Sequence, residues 1–74
     1  MINIIIADKN IQNIKIIMNN IINKLEAKDI KTFVANNKIE IQEIENSNKV
    51  NLILINENLN FIYSSNNCSV FYYR

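Results

Sequence analysis

The sequence predicts an α/β fold: a partial doubly wound, three-stranded parallel sheet in the order 2-1-3, with two helices and an irregular C-terminal tail. Three observations predict it. Two short runs rich in apolar and β-branched residues, Ile2 to Ala7 and Val50 to Ile55, read as strands buried on both faces. An apolar stripe at helical spacing follows the first run, and a period-two segment follows the stripe. Strand, helix, strand, helix, strand with right-handed crossovers places the first strand between the other two.

The first strand is Ile2 to Ala7. Asn10 then offers a side-chain oxygen as an N-cap, and Ile11, Ile14, Ile17, Met18, Ile21, Ile22 and Leu25 recur at helical spacing, predicting a helix from about Asn10 to Ala27. Asn13 stands where a full capping box would want Glu or Gln, so only the simple cap supports the start. The stripe reads as one face packed on a sheet, because a single helix of under three heptads seldom sustains a coiled-coil seam. In the second strand, Ile30 to Ala35, residues Ile30, Thr32 and Val34 share one face while Lys31, Phe33 and Ala35 share the other, which suits a position near a sheet edge. Asn37 and Glu40 form a candidate capping box ahead of Ile41 and Ile44. The alternation over residues 38–42 also fits a strand, but the short link to the next apolar run favours a crossover helix.

At 74 residues the chain forms one small domain, of which residues 1–59 make the ordered α/β part and residues 60–74 a divergent tail, disordered or a short strand. A chain of this size buries only about 60% of its unfolded surface, so its stability margin is thin. It is 49% hydrophobic with a net charge of +1, which marks a globular chain without the charge field that nucleic acid or an anionic membrane would require. Glycine and proline are absent, so turns must take unusual backbone angles at Asn, Asp or Ser. A single cysteine excludes an internal disulfide, the lack of histidine removes the usual zinc ligands, and no apolar run spans a bilayer. These features predict a cytoplasmic protein with no metal, no cofactor and no membrane contact. With no histidine, no phosphate-cradling glycine loop and no nucleophile beside a base, no enzyme activity is expected.

The segment Val50 to Leu59, VNLILINENL, resembles the third strand of a response-regulator receiver domain, and INIIIADKN at residues 2–10 and FVANNKIEIQEIENSNKV at residues 33–50 extend the resemblance over most of the chain. In that two-component signalling family, with its flavodoxin-like fold, the strand ends in the aspartate that accepts the phosphoryl group. Here Asn56 stands at that position, and an amide oxygen is a poor nucleophile without the charge to hold a metal. The family's first strand ends in two acids that hold Mg²⁺. Here only Asp8 keeps one, and Lys9 stands where the second is expected. The resemblance thus implies a degenerate, truncated receiver fragment: a pseudo-receiver that cannot take part in a phosphorelay. Asp8, Lys9 and Asn56 are expected to meet at the carboxyl end of the sheet. Lys9 either turns inward to pair with Asp8 in the metal's place or points into solvent while Asp8 caps the next turn.

The resemblance also implies another receiver or a histidine kinase as partner. After Leu59 it stops, and the family's later strands and helices have no counterpart in NFIYSSNNCSVFYYR. Tyr63, Phe71, Tyr72 and Tyr73 lack the basic groove that base stacking would need, so they read as apolar cover rather than a nucleic-acid surface. Without a fourth strand, Leu52, Ile53, Leu54 and Ile55 are expected to form an exposed edge through which the chain self-associates. Two alternatives to the signalling reading are a small interaction module pairing through that exposed third strand and a gene remnant without selected function.

Overall fold

The computed structural model describes residues 1–25 and 29–74. Along the chain run β1 (Ile2–Ala7), α1 (Ile11–Leu25), β2 (Ile30–Ala35), α2 (Lys38–Ser47), β3 (Leu52–Asn56), a 3-10 turn (Glu57–Leu59) and β4 (Ser69–Tyr73). All strand pairs are parallel, and the sheet order is β2-β1-β3-β4. The α/β class, the two helices and the 2-1-3 order therefore stand, with one further strand beside β3. The predicted end of the first helix, at residues 26–27, lies outside the described residues.

Local sequence accounts for both helix starts. Asn10 Oδ1 accepts the amides of Gln12 (2.9 Å) and Asn13 (3.1 Å), satisfying two of the donors that a helix leaves unpaired at its start. At α2, Asn37 Oδ1 accepts the Glu40 amide at 2.9 Å. The Glu40 carboxylate reaches back to the Asn36 amide at 2.8 Å, one residue before the usual box position. That reciprocal cap decides the 38–42 segment as helix, and it leaves Ile41 fully buried on the sheet.

The two faces of the sheet are covered differently. Ile4 and Ile6 of β1 meet Ile14, Ile17, Met18 and Ile21 of α1, with Ile30, Leu52 and Leu54 at the margins. Ile11 and Ile22 of the predicted stripe are instead exposed, because at 100° per residue they lie roughly 70–90° from the centre of the packed face. On the opposite face Ile5, Ala7, Ala35, Ile53 and Ile55 pack beneath Ile41, Val50 and Tyr63, with Phe61, Cys68 and Val70 closing the layer. Residues 57–68 make the crossover to β4 on the same face as α2. Both connections step in the same direction along the sheet, so right-handedness places them together.

Of the two readings of residues 60–74, disordered or a short strand, the structure shows the strand, so the tail is not irregular throughout. The run Val70 to Tyr73 is β-branched and aromatic, and it pairs in register with β3, Leu54 opposite Phe71 and Asn56 opposite Tyr73. It also corrects the expectation that the third strand is an exposed edge. β3 lies between β1 and β4 with both backbone sides paired, Ile53 and Ile55 are fully buried, and Leu52 and Leu54 are half-buried. Self-association through Leu52, Ile53, Leu54 and Ile55 thereby loses its physical basis. The turn into the crossover uses Asn60 in the left-handed region (φ 58°), with its amide donating to Glu57 O at 3.1 Å. In a chain without glycine, asparagine tolerates this conformation best. No helix among the described residues is long and apolar enough to cross a membrane.

Candidate functional site

Three polar side chains meet at the carboxyl end of the sheet, all on the α1 side. Asp8 follows Ile4 and Ile6 in the alternation of β1, Asn56 follows Leu52 and Leu54 in β3, and Tyr73 follows Ser69 and Phe71 in β4. Because Ala7 pairs with Ile55, and Asn56 with Tyr73, the three fall in one row across neighbouring strands. Asp8 and Asn56 are each only 4% exposed, so the groups lining this end must be satisfied by one another.

They are. Asp8 Oδ2 accepts from Asn56 Nδ2 at 3.0 Å and from the Tyr73 hydroxyl at 2.7 Å, while Oδ1 accepts the Asn10 amide at 2.9 Å. A carboxylate only accepts, which fixes the Asn56 amide with its nitrogen toward Asp8 and its Oδ1 toward the Asn58 amide at 2.8 Å. Burial alone would raise the Asp8 pKa. The Tyr73 hydroxyl, the Asn10 amide and the Asn56 amide together outweigh it and hold the group below its ordinary value of 3.8. Tyr73 shifts the other way: burial first, and then its bond to Asp8, push its hydroxyl above the ordinary tyrosine range. The centre is thus one buried anion clasped by neutral donors.

The arrangement brings Asp8 and Asn56 together as the sequence predicts, but not Lys9. Lys9 is exposed, and among the described residues it makes no ion pair with Asp8. The physical reason is alternation: the residue after Asp8 leaves the row and enters a bend. Sequence reasoning misses Tyr73 as a site residue; it supplies the third member from β4, the short strand that is one of the two readings of residues 60–74. For chemistry the consequence is direct. Asp8 Oδ2 is already taken by the tyrosine hydroxyl and the amide, and no three His, Cys, Asp or Glu side chains among the described residues cluster as a ligand set. Asn56 presents an amide, not a carboxylate, at the end of β3.

A second polar cluster lies on the opposite face. Glu45 of α2 accepts the Tyr63 hydroxyl through Oε1 and Ser65 Oγ through Oε2 at 2.7 Å, and Asn67 N donates to Ser65 Oγ at 3.1 Å. Burial, followed by the Glu45 carboxylate, pushes the Tyr63 hydroxyl above its ordinary range. These contacts pin the crossover, which contains no α-helix, to α2, and so hold β4 and Tyr73 in place. No family model matches the chain, and neither a curated protein nor a solved structure matches it.

Proposed function

We propose that this chain is a degenerate receiver-like signalling module, incompetent for aspartyl phosphorylation, whose crevice is closed by its own side chains. The observation that carries the reading is the pairing of Asn56 with Asp8 at the carboxyl ends of β3 and β1. There an amide stands where the resemblance expects the attacking carboxylate, and Asp8 beside it already accepts three hydrogen bonds. The parallel order β2-β1-β3-β4 supports the same reading, because it puts these ends at the point where connections leave in opposite directions. Such a module acts by shape, as a cytoplasmic binding partner for a receiver or a histidine kinase that does not depend on a phosphorylation state. The experiment is incubation of the chain with acetyl phosphate and Mg²⁺, followed by intact-mass measurement. The expected result is no phosphoryl adduct. A stable adduct on Asn56 or Asp8 would refute the proposal.

A further inference from the structure

We propose that β4 is a dimerisation edge, at which a second copy of this chain adds antiparallel about a two-fold axis through Phe71, giving one continuous eight-stranded sheet. The inference goes beyond the receiver-like reading and does not depend on it.

The two edges of the sheet differ. On β2 the exposed Lys31 stands on the edge strand with its ammonium 5.0 Å from the centre of the Phe33 ring, and a charge on an edge is a common guard against further strand addition. β4 has no such guard. Ser69–Tyr73 carries no charge, no proline and no positive-φ residue, and Phe71 and Tyr72 are 57% and 40% exposed. Among the described residues, its backbone makes no hydrogen bond outside the ladder with β3. The outward row of donors and acceptors is therefore open to another strand.

Self-pairing suits this edge. With Phe71 on the axis, Phe71 faces its copy, Val70 faces Tyr72, and Ser69 faces Tyr73, so all five residues of the strand are used. Within one copy Val34, Ile6, Leu54 and Phe71 already form one row across the four strands. The two-fold axis joins that row to its image and covers the exposed ring. A slip by one residue would pair opposite faces and turn the second copy over, breaking the row. Charge does not oppose a second copy. The nearest charge, Arg74, is bridged to Glu57 of its own copy at 3.3 Å. In this register Arg74 lies opposite position 68 of the other copy, so the two arginines sit about 20 Å apart along the strands, beyond the screening length of about 10 Å at 0.1 M salt. No like charges meet along the paired strands.

Sedimentation equilibrium over a wide concentration series tests the proposal with the full chain, alongside circular dichroism to follow folding. The wild type is expected to dimerise. Phe71→Lys and Phe71→Glu, at a position more than half exposed, should each weaken self-association by roughly tenfold or more, since like charges then face each other across the axis. An equimolar mixture of the two variants should restore dimers, because Lys then faces Glu. Hydrogen exchange on the wild type gives a second readout that needs no variant: protection of amides 69–73 should rise with concentration while that of amides 30–35 stays constant. A wild type that stays monomeric overturns the proposal, even if it captures a foreign extended peptide. So does a dimer that Phe71→Lys leaves intact, a mixture that fails to re-associate, or protection that rises at 30–35 instead.

Discussion

The hydroxyl of Tyr73 lies 2.7 Å from Asp8 Oδ2, a bond that ties the last strand of the sheet to the first across the width of β3. Strands stand about 4.8 Å apart, so the donor must span two such spacings, and tyrosine has both the length and the O–H to do so. Phenylalanine in its place would keep the ring and lose the donor. A hydrogen bond to a charged group contributes about 1.5–3 kcal/mol, but Tyr73 is only half-buried and water can partly replace it. Tyr73→Phe is expected to lower stability by about 1–2 kcal/mol in urea denaturation followed by circular dichroism. An unchanged midpoint would show that the bond is not made in solution.

Acid titration of stability follows from the same group. The folded-state pKa of Asp8 is depressed, so the native state holds fewer protons than the unfolded one over the window between the two values. The associated stability is fully present above the unfolded value and is lost as pH falls through the folded value. Because the Tyr73 hydroxyl is the largest of the interactions lowering that pKa, Tyr73→Phe should flatten the acid limb. Urea midpoints measured from neutral pH downward check this. An acid limb of equal slope in both proteins would assign the acid sensitivity to other carboxylates.

Much of this architecture is legible in the sequence, and the missing part has a definite cause. Period and composition identify Ile2 to Ala7, the α1 stripe, Ile30 to Ala35 and, from the run Val50 to Ile55, most of β3, because each buries a face whose spacing is local. The pairing of Asp8 with Asn56 follows from parallel order alone. β4 is less legible, and the sequence offers it only as an alternative to disorder in residues 60–74. Parallel strands are usually joined by a helix, whereas residues 57–68 hold only a 3-10 turn and rely on Phe61 and Tyr63 for apolar cover. That packing depends on the Glu45 contacts, and the partners are distant in sequence. Tyr73 enters the site only because Asn56 and Tyr73 share a register position, which no local pattern encodes.

Replacing Asn56 with aspartate restores the expected acid but sets a second anion against a buried one. The substitution removes the donor now 3.0 Å from Asp8 Oδ2 and brings two carboxylates together where both residues are 4% exposed. One of the pair would be driven toward its protonated form, as in other shared carboxylate sites. Asn56→Asp is expected to cost about 2–4 kcal/mol at neutral pH. Part of that loss should be regained on acidification as the proton is taken up. Mg²⁺ should leave most of it in place, because Tyr73 and the Asn10 amide still occupy Asp8 and no acid stands at Lys9. Denaturation curves with and without Mg²⁺ decide the matter. Full recovery by the metal would mean that the crevice opens more easily than its hydrogen bonds imply.

Glu45 carries the attachment of the crossover, and its removal should be felt at β4. Its carboxylate accepts both the Tyr63 hydroxyl and Ser65 Oγ, and Tyr63 is 6% exposed, so truncation takes away the acceptor of a buried donor. Leaving such a group unsatisfied costs about 1–3 kcal/mol, and Glu45→Ala should fall in that range. Glu45→Gln keeps one acceptor oxygen and should cost less. Tyr63→Phe added to Glu45→Ala removes the stranded hydroxyl, so the double variant should be more stable than the sum of the two single losses predicts. Hydrogen exchange should report the change locally, with amides 69–73 losing protection before those of Ile2–Ala7, because the tether holds the crossover rather than the central strand. A double-mutant cycle that is strictly additive would show that Tyr63 packs without needing Glu45, and would place the hold on β4 in Phe61, Cys68 and Val70 alone.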